Sequence, residues 1–134
     1  MNDIKSSRTS FWVGWVLSGL VIAFLLFDAW GKLAELEIVL KSMVELGIPV
    51  SLSVTIGTIL LVITILYAIP QTSALGALLL TGYLGGAAVI HLRVGNPLWS
   101  HTLFSVYVGI LLWVGLALRN SKVKDLFWGF PTKK

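Results

Sequence analysis

Between Glu45 and Arg93 lie 47 consecutive positions without a carboxylate, an ammonium or a guanidinium group. A soluble domain of 134 residues has too little interior to hide so long an uncharged stretch. The hydrocarbon core of a bilayer, about 30 Å thick, is crossed by a helix of roughly 20 apolar residues. The stretch is too long for one crossing and suits two, joined by the tight turn Pro70-Gln71-Thr72-Ser73. Spans are therefore expected at 50–69 and 74–90. A further uncharged run of 19 positions between Arg8 and Asp28 gives a span at 11–27, and the apolar run ending at Arg119 gives one at 102–118. Charged residues make up only 12% of the chain, about half the usual share. The fold class expected is all-α: a single transmembrane domain over 1–134, built as an up-down bundle of four transmembrane helices.

The breaks between spans have local causes. Gly47 suits the left-handed conformation that ends helices, and Pro49 can open the next one. Gly95-Asn96-Pro97 stops the third span, because the proline disfavours helix at Asn96. The first run is preceded by basic residues and followed by Ala29-Trp30-Gly31, as in a secretory signal peptide. Its apolar length exceeds the usual 7–15 residues of such a segment, so it is read as a span. Residues 31–46 are too charged to cross. Leu33, Leu36, Leu40 and Met43 recur at helical steps, while Glu37, Lys41 and Glu45 form an i, i+4 ladder, so an amphipathic interfacial helix is expected there.

Seven basic residues lie at the two chain ends, Lys5, Arg8, Arg119, Lys122, Lys124, Lys133 and Lys134, against Lys32, Lys41 and Arg93 on the other side. An even number of spans puts both ends together, and the positive-inside bias places them in the cytoplasm, with 119–134 as a basic tail. In that tail Phe127, Trp128 and Phe130 are expected to dip into the interface. The net charge of +4 is explained by orientation and by anionic headgroups. No groove of interleaved aromatic and basic residues accompanies it, so nucleic acid is not a partner. The lipid bilayer is. With no cysteine, thiolate catalysis and iron–sulfur clusters are excluded.

This topology gathers Asp28, Lys32, His91, Arg93 and His101 at one membrane face, with Trp30 and Trp99 at the same level as an aromatic belt. Two readings stand side by side. The residues are interfacial, snorkelling to headgroups, or they form a ligand-binding cluster at the bundle mouth. In the second reading Asp28 pairs with Arg93, and the imidazoles hydrogen-bond a ligand or relay a proton. Metal and haem are disfavoured, because two histidines ten residues apart lack the spacing that sets both rings on one helical face. Within the spans, tyrosines and threonines are the polar groups available, and the threonine hydroxyls are expected to bond carbonyls one turn back. No mid-depth carboxylate marks an ion pathway. Gly82-x-x-x-Gly86, with Gly85 beside it, gives the third span a smooth face, read as a helix-packing surface, with a ligand groove or a homodimer contact as the alternatives.

The stretch "LYAIPQTSALGALLLTGYLGGAAVIHLRVGNPLWSHTLF", followed by "YVGILLWVGLALRN", resembles the DoxX-like family of small bacterial membrane proteins. "LGIP" before the second span, and Asp28 and Lys32 closing the first, fit the same pattern, so the resemblance covers about residues 11–120. It implies four transmembrane helices and residence in the bacterial inner membrane. The family takes its name from a subunit of a quinone-linked oxidoreductase, and relatives are associated with membrane redox assemblies or resemble membrane chaperones. Gly82, Gly85, Gly86, His91, Arg93, Pro97 and His101 are the positions that carry over. Members often have a carboxylate in the second helix, and "IGTILLVITILYAIP" has none. The chain carries no catalytic motif and no haem, flavin, nicotinamide or iron–sulfur motif. The function expected is a non-catalytic accessory or binding subunit for a membrane partner or an apolar ligand, quinone or lipid. The alternatives are a subunit of a quinone-linked oxidoreductase served by a membrane redox partner, and a facilitator for small apolar molecules.

Overall fold

The computed structural model describes residues 2–129, with side chains from Arg8 onward. Phe130, Lys133 and Lys134 lie outside the described residues, as does the side chain of Lys5. The chain forms α1 (Asn2–Leu33), α2 (Glu37–Glu45), a 3-10 turn (Val50–Leu52), α3 (Ser53–Ala68), α4 (Ser73–Arg93), a π turn (Leu98–Thr102), α5 (Phe104–Arg119) and α6 (Ser121–Trp128). Four segments are long and apolar enough to cross a membrane: Arg8–Leu33, Val50–Ala68, Ser73–Arg93 and Leu98–Arg119. The protein is an all-α membrane bundle, with no strand among the described residues. α1 packs on α3 and α5, and α4 packs on the same two, so α1 and α4 face each other across the diagonal of an up-down ring.

Polarity is arranged for hydrocarbon. Leu20, Leu78 and Val89 are more than 60% exposed on the outside, whereas Ser18, Ser53, Thr64 and Ser73 are buried. An unpaired polar group in the bilayer core costs several kcal/mol, and each of these hydroxyls is paired. Ser53 Oγ donates to the Lys32 carbonyl at 2.8 Å and Ser73 Oγ to that of Pro70 at 3.0 Å. Thr58, Thr64 and Thr81 donate to carbonyls four residues back, as read from the sequence. No buried side-chain polar atom lacks a partner among the described residues.

Helices in lipid associate by close packing of small residues, and the glycines that serve here are not those singled out from the sequence. A Cβ at Gly115 would meet Ser18 Oγ at 2.9 Å, and one at Gly14 would meet the Gly115 carbonyl at 2.8 Å, so α1 and α5 touch backbone to backbone. A Cβ at Gly57 would strike Lys32 and the Ala29 carbonyl of α1, and one at Gly76 would lie 2.2 Å from the Tyr67 nitrogen of α3. At Gly82, Gly85 and Gly86 it would meet nothing within 4 Å. Their assignment as helix-packing residues within the bundle is therefore corrected. No neighbouring helix among the described residues presses on them, and they leave space.

α1 also outlasts its expected end at residue 27. Asp28 and Lys32 stand one turn apart and form an ion pair along the helix, so charge here continues the helix rather than breaking it. The surface segment consequently begins at Glu37, and Met43 is its buried residue. Three helices end in the same way at this end of the bundle. The residue in left-handed conformation is Glu35 after α1, Gly47 after α2 and Gly95 after α4. In each case its N–H bonds three residues back and the next N–H five back, the paired bonds of a Schellman turn.

Two stability measurements follow. Gly76→Ala should lower the unfolding free energy in micelles by roughly 1–3 kcal/mol through overpacking, whereas Gly85→Ala should leave it unchanged or raise it by up to about 1 kcal/mol. Glu35→Gly should raise it by about 1 kcal/mol, because glycine adopts the left-handed conformation without the Cβ clash. Detergent-denaturation curves followed by circular dichroism read all three.

Candidate functional site

The site is built where α1 and α4 diverge. The Schellman turn at Gly95 ends α4 two residues after His91 and Arg93 complete its last turn. Asn96 then turns back on the helix: its backbone N–H bonds the His91 carbonyl at 3.1 Å, and its side-chain Nδ2 donates to His91 Nδ1 at 2.8 Å. A neutral imidazole that accepts at Nδ1 carries its proton on Nε2, so His91 presents a donor. Pro97 opens the π turn, which brings His101 to face it with ring centroids 6.2 Å apart and planes tilted by 58°. His101 Nδ1 is 2.8 Å from Ser100 Oγ.

These groups border a cavity of about 700 Å³, within the range of small-molecule sites. α1 contributes Phe24, Leu25, Asp28 and Lys32, and α4 contributes Gly82, Tyr83, Gly86 and His91. Ile56 of α3 and Phe104 and Val108 of α5 complete the wall, and α2 lies across it with Val39, Met43 and Glu45, followed by Leu46. The glycines of α4 thus have a spatial consequence: a side chain at Gly82 or Gly86 would occupy part of this volume. The Asp28–Lys32 pair has side chains 33% and 15% exposed, so these two charges cancel locally, and the exposed Glu45 is the third charged residue of the lining. Beside them the cavity offers the hydroxyl of Tyr83, for which there is no hydrogen-bond partner among the described residues. The arrangement can hydrogen-bond an uncharged polar head while enclosing an apolar body.

Four of the five residues expected in the polar cluster, Asp28, Lys32, His91 and His101, line this one cavity. The fifth does not, and the expected Asp28–Arg93 pair is replaced. Asp28 is satisfied one turn along its own helix by Lys32. Arg93 reaches the other way, donating from Nη2 to the Leu46 carbonyl at 2.6 Å. A cation is favoured at the negative end of a helix dipole, and Leu46 is the C-cap of α2. Arg93 therefore clasps the C-terminal end of α2, and a Cβ at Gly47 would lie only 2.8 Å from Nη2. No group of three His, Cys, Asp or Glu side chains suited to a metal ion occurs among the described residues.

Sequence reasoning missed Asn96 as the partner of His91 and did not single out Tyr83 from the other tyrosines of the spans. The spacing Tyr83, Ala87, His91, each four apart on α4, was the available signal that tyrosine and histidine share one face. It also missed a polar chain at the opposite end. Arg119 Nε donates to Ser18 Oγ at 2.9 Å, Ser18 Oγ lies 3.1 Å from the Tyr67 hydroxyl, and that hydroxyl donates to the Leu112 carbonyl at 2.7 Å. The guanidinium also bonds the Tyr67 carbonyl at 2.8 Å and stacks 4.4 Å from the Trp15 ring centre. Nothing in the order of residues links positions 18, 67 and 119 before the helices are packed.

The fold and the cavity together define a small four-span membrane protein with a polar-lined, ligand-sized chamber at one end of its bundle. The sequence model of the DoxX-like family matches residues 16–115, and the chain belongs to that family. The match contains every cavity residue named above and stops short of Arg119. No curated protein and no solved structure matches the chain.

The Asn96 bond is open to spectroscopy. Asn96→Ala should convert the single Nε2–H tautomer of His91 into a mixture, visible as a shift of its ring nitrogens in ¹⁵N NMR. His101 should keep its signals, since its Nδ1 partner is Ser100.

Proposed function

We propose that this protein is a binding subunit of the bacterial inner membrane, non-catalytic on its own, with both termini cytoplasmic. It holds an apolar molecule, a quinone or a lipid, with the polar head in the mouth cavity. The observation that carries this reading is the meeting of Asp28 and Lys32 of α1, His91 of α4 and His101 of the π turn around one cavity of about 700 Å³ whose lining is mostly apolar. A site of that size with a few convergent polar groups is the usual form of a small-molecule pocket. The His91 Nε2–H and the Tyr83 hydroxyl are donors suited to a carbonyl oxygen, and the neutralised Asp28–Lys32 pair together with the Glu45 carboxylate favours an uncharged head over an anionic one. The donor toward a carbonyl also supports a second reading, a membrane subunit of a quinone-linked oxidoreductase. There His91 would hydrogen-bond a quinone oxygen while electrons come from a partner protein.

The test is retention. Protein purified in mild detergent should carry a quinone or lipid detectable by mass spectrometry of the extract. The double substitution His91→Gln and His101→Gln should reduce its occupancy by about tenfold, the equivalent of roughly 1.4 kcal/mol. Equal occupancy in the two proteins overturns the assignment of these residues, and an extract with only bulk lipid composition overturns the binding function.

A further inference from the structure

A second space lies on the outside of the bundle, between α4 and α5. It is a lateral groove of about 460 Å³, closed at its far end by Trp113 and by Phe127 and Trp128 of α6. Its wall is hydrocarbon and aromatic ring. Its two hydroxyls are already engaged: Thr81 Oγ1 donates to the Ala77 carbonyl and accepts from Trp113 Nε1, and Ser105 Oγ donates to the Thr102 carbonyl. The groove therefore offers nothing to a polar head. It offers length. From Ser105 to Trp113 it follows α5 for eight residues, about 12 Å at the helical rise.

The groove is not separate from the mouth cavity. Leu84 and Ser105 line both. The partition between them is thin, since α4 presents Gly85 and α5 presents Gly109, and a Cβ at Gly109 would meet only the Leu84 methyl Cδ1 at 3.8 Å. One side of this partition thus carries polar groups in a chamber, and the other carries an apolar channel open to the bilayer.

We infer that the two spaces form one site for a head-and-tail amphiphile, with its uncharged, acceptor-bearing head in the mouth cavity and a single long hydrocarbon tail passing Leu84 and Ser105 into the α4–α5 groove. This rests on the binding function proposed above and adds the class of ligand and the route of its tail. Lipid tails are as apolar as the groove, so the tail is selected by packing contacts rather than by transfer from water. The selection is consequently sensitive to the shape of the groove, and glycine at 85 and 109 is what leaves it open.

The test uses the full chain in phosphatidylcholine nanodiscs with two heads, a benzoquinone and a monoacylglycerol. Each is made with a short tail and with a long tail bearing a terminal photoreactive diazirine. In the wild-type protein the tail probe should label Val106, Ile110 and Val114 of the groove. Gly109→Phe should cut that labelling by about tenfold, while binding of the short-tailed head, read by displacement, stays within about twofold. Gly85→Phe, at a position where a side chain meets open space, should act in the same way and guards against a misfolded first variant. The head that labels identifies the source, an isoprenoid-type carrier or a neutral lipid. Tail labelling of lipid-facing Val62 and Ile65 on α3 at equal yield overturns the tail route and leaves the head site intact. So does groove labelling that is insensitive to both variants, or cross-linking of α4–α5 to a second copy of the chain. Absence of short-tailed binding overturns both readings together.

Discussion

Leucine against leucine gains little when the alternative is leucine against a lipid tail, so this bundle is held by the places where backbones touch. Those places are few and local. Gly14 and Ser18 of α1 meet Gly115 of α5, Gly57 of α3 meets the Ala29 carbonyl of α1, and Gly76 of α4 meets the Tyr67 nitrogen of α3. Three of the four glycines involved, Gly14, Gly76 and Gly115, lie toward the end of the bundle that carries the termini. The polar chain from Arg119 through Ser18 and Tyr67 to the Leu112 carbonyl crosses the same region. Backbone satisfaction and close packing thus coincide at one end.

The other end is correspondingly open. With α1 and α4 on the diagonal and no small-residue contact between them, the volume at their upper halves is bounded rather than filled. α2 spans it, and its placement depends on turn chemistry as much as on burial: Glu35 and Gly47 take left-handed conformations at its two flanks, and Arg93 holds its final carbonyl. The polar residues of the mouth fall into two kinds. Lys32, Asn96 and Ser100 each satisfy a neighbour, Asp28, His91 and His101 in turn. Tyr83 and the two imidazoles line the cavity. Binding capacity is what remains after the internal pairings have been made.

Much of the architecture was legible in the residues, and the reason is physical. A run of 47 uncharged positions has few alternatives to two crossings, and Gly47, Pro49, Gly95 and Pro97 mark the breaks through constraints on φ that operate within a few residues. The gathering of Asp28, Lys32, His91 and His101 followed from the same count, since up-down topology alone sends all four to one end. What the sequence could not supply was azimuth. Whether Gly82 and Gly86 face a helix or a void depends on which helices are neighbours and which are diagonal. The partner of Asp28 likewise turned on direction, since Arg93 and Lys32 are both within plausible reach and only the packed bundle points Arg93 toward α2. The contact between Ser18, Tyr67 and Arg119 joins three helices and has no local signature at all.

Arg119 carries one last implication, about where the protein floats. Its guanidinium is lodged against two aromatic faces and against α1 and α3, with neutral partners and no carboxylate among the described residues to cancel its charge. It is only partly shielded, and a bare cation drawn toward the bilayer centre is heavily penalised. Unlike a lysine on a flexible stem, it cannot extend to follow the headgroups if the bundle sinks. The bundle must instead ride at the depth where this fixed cation meets phosphate and water, and the far chamber is held by that draught at a set height near the opposite surface.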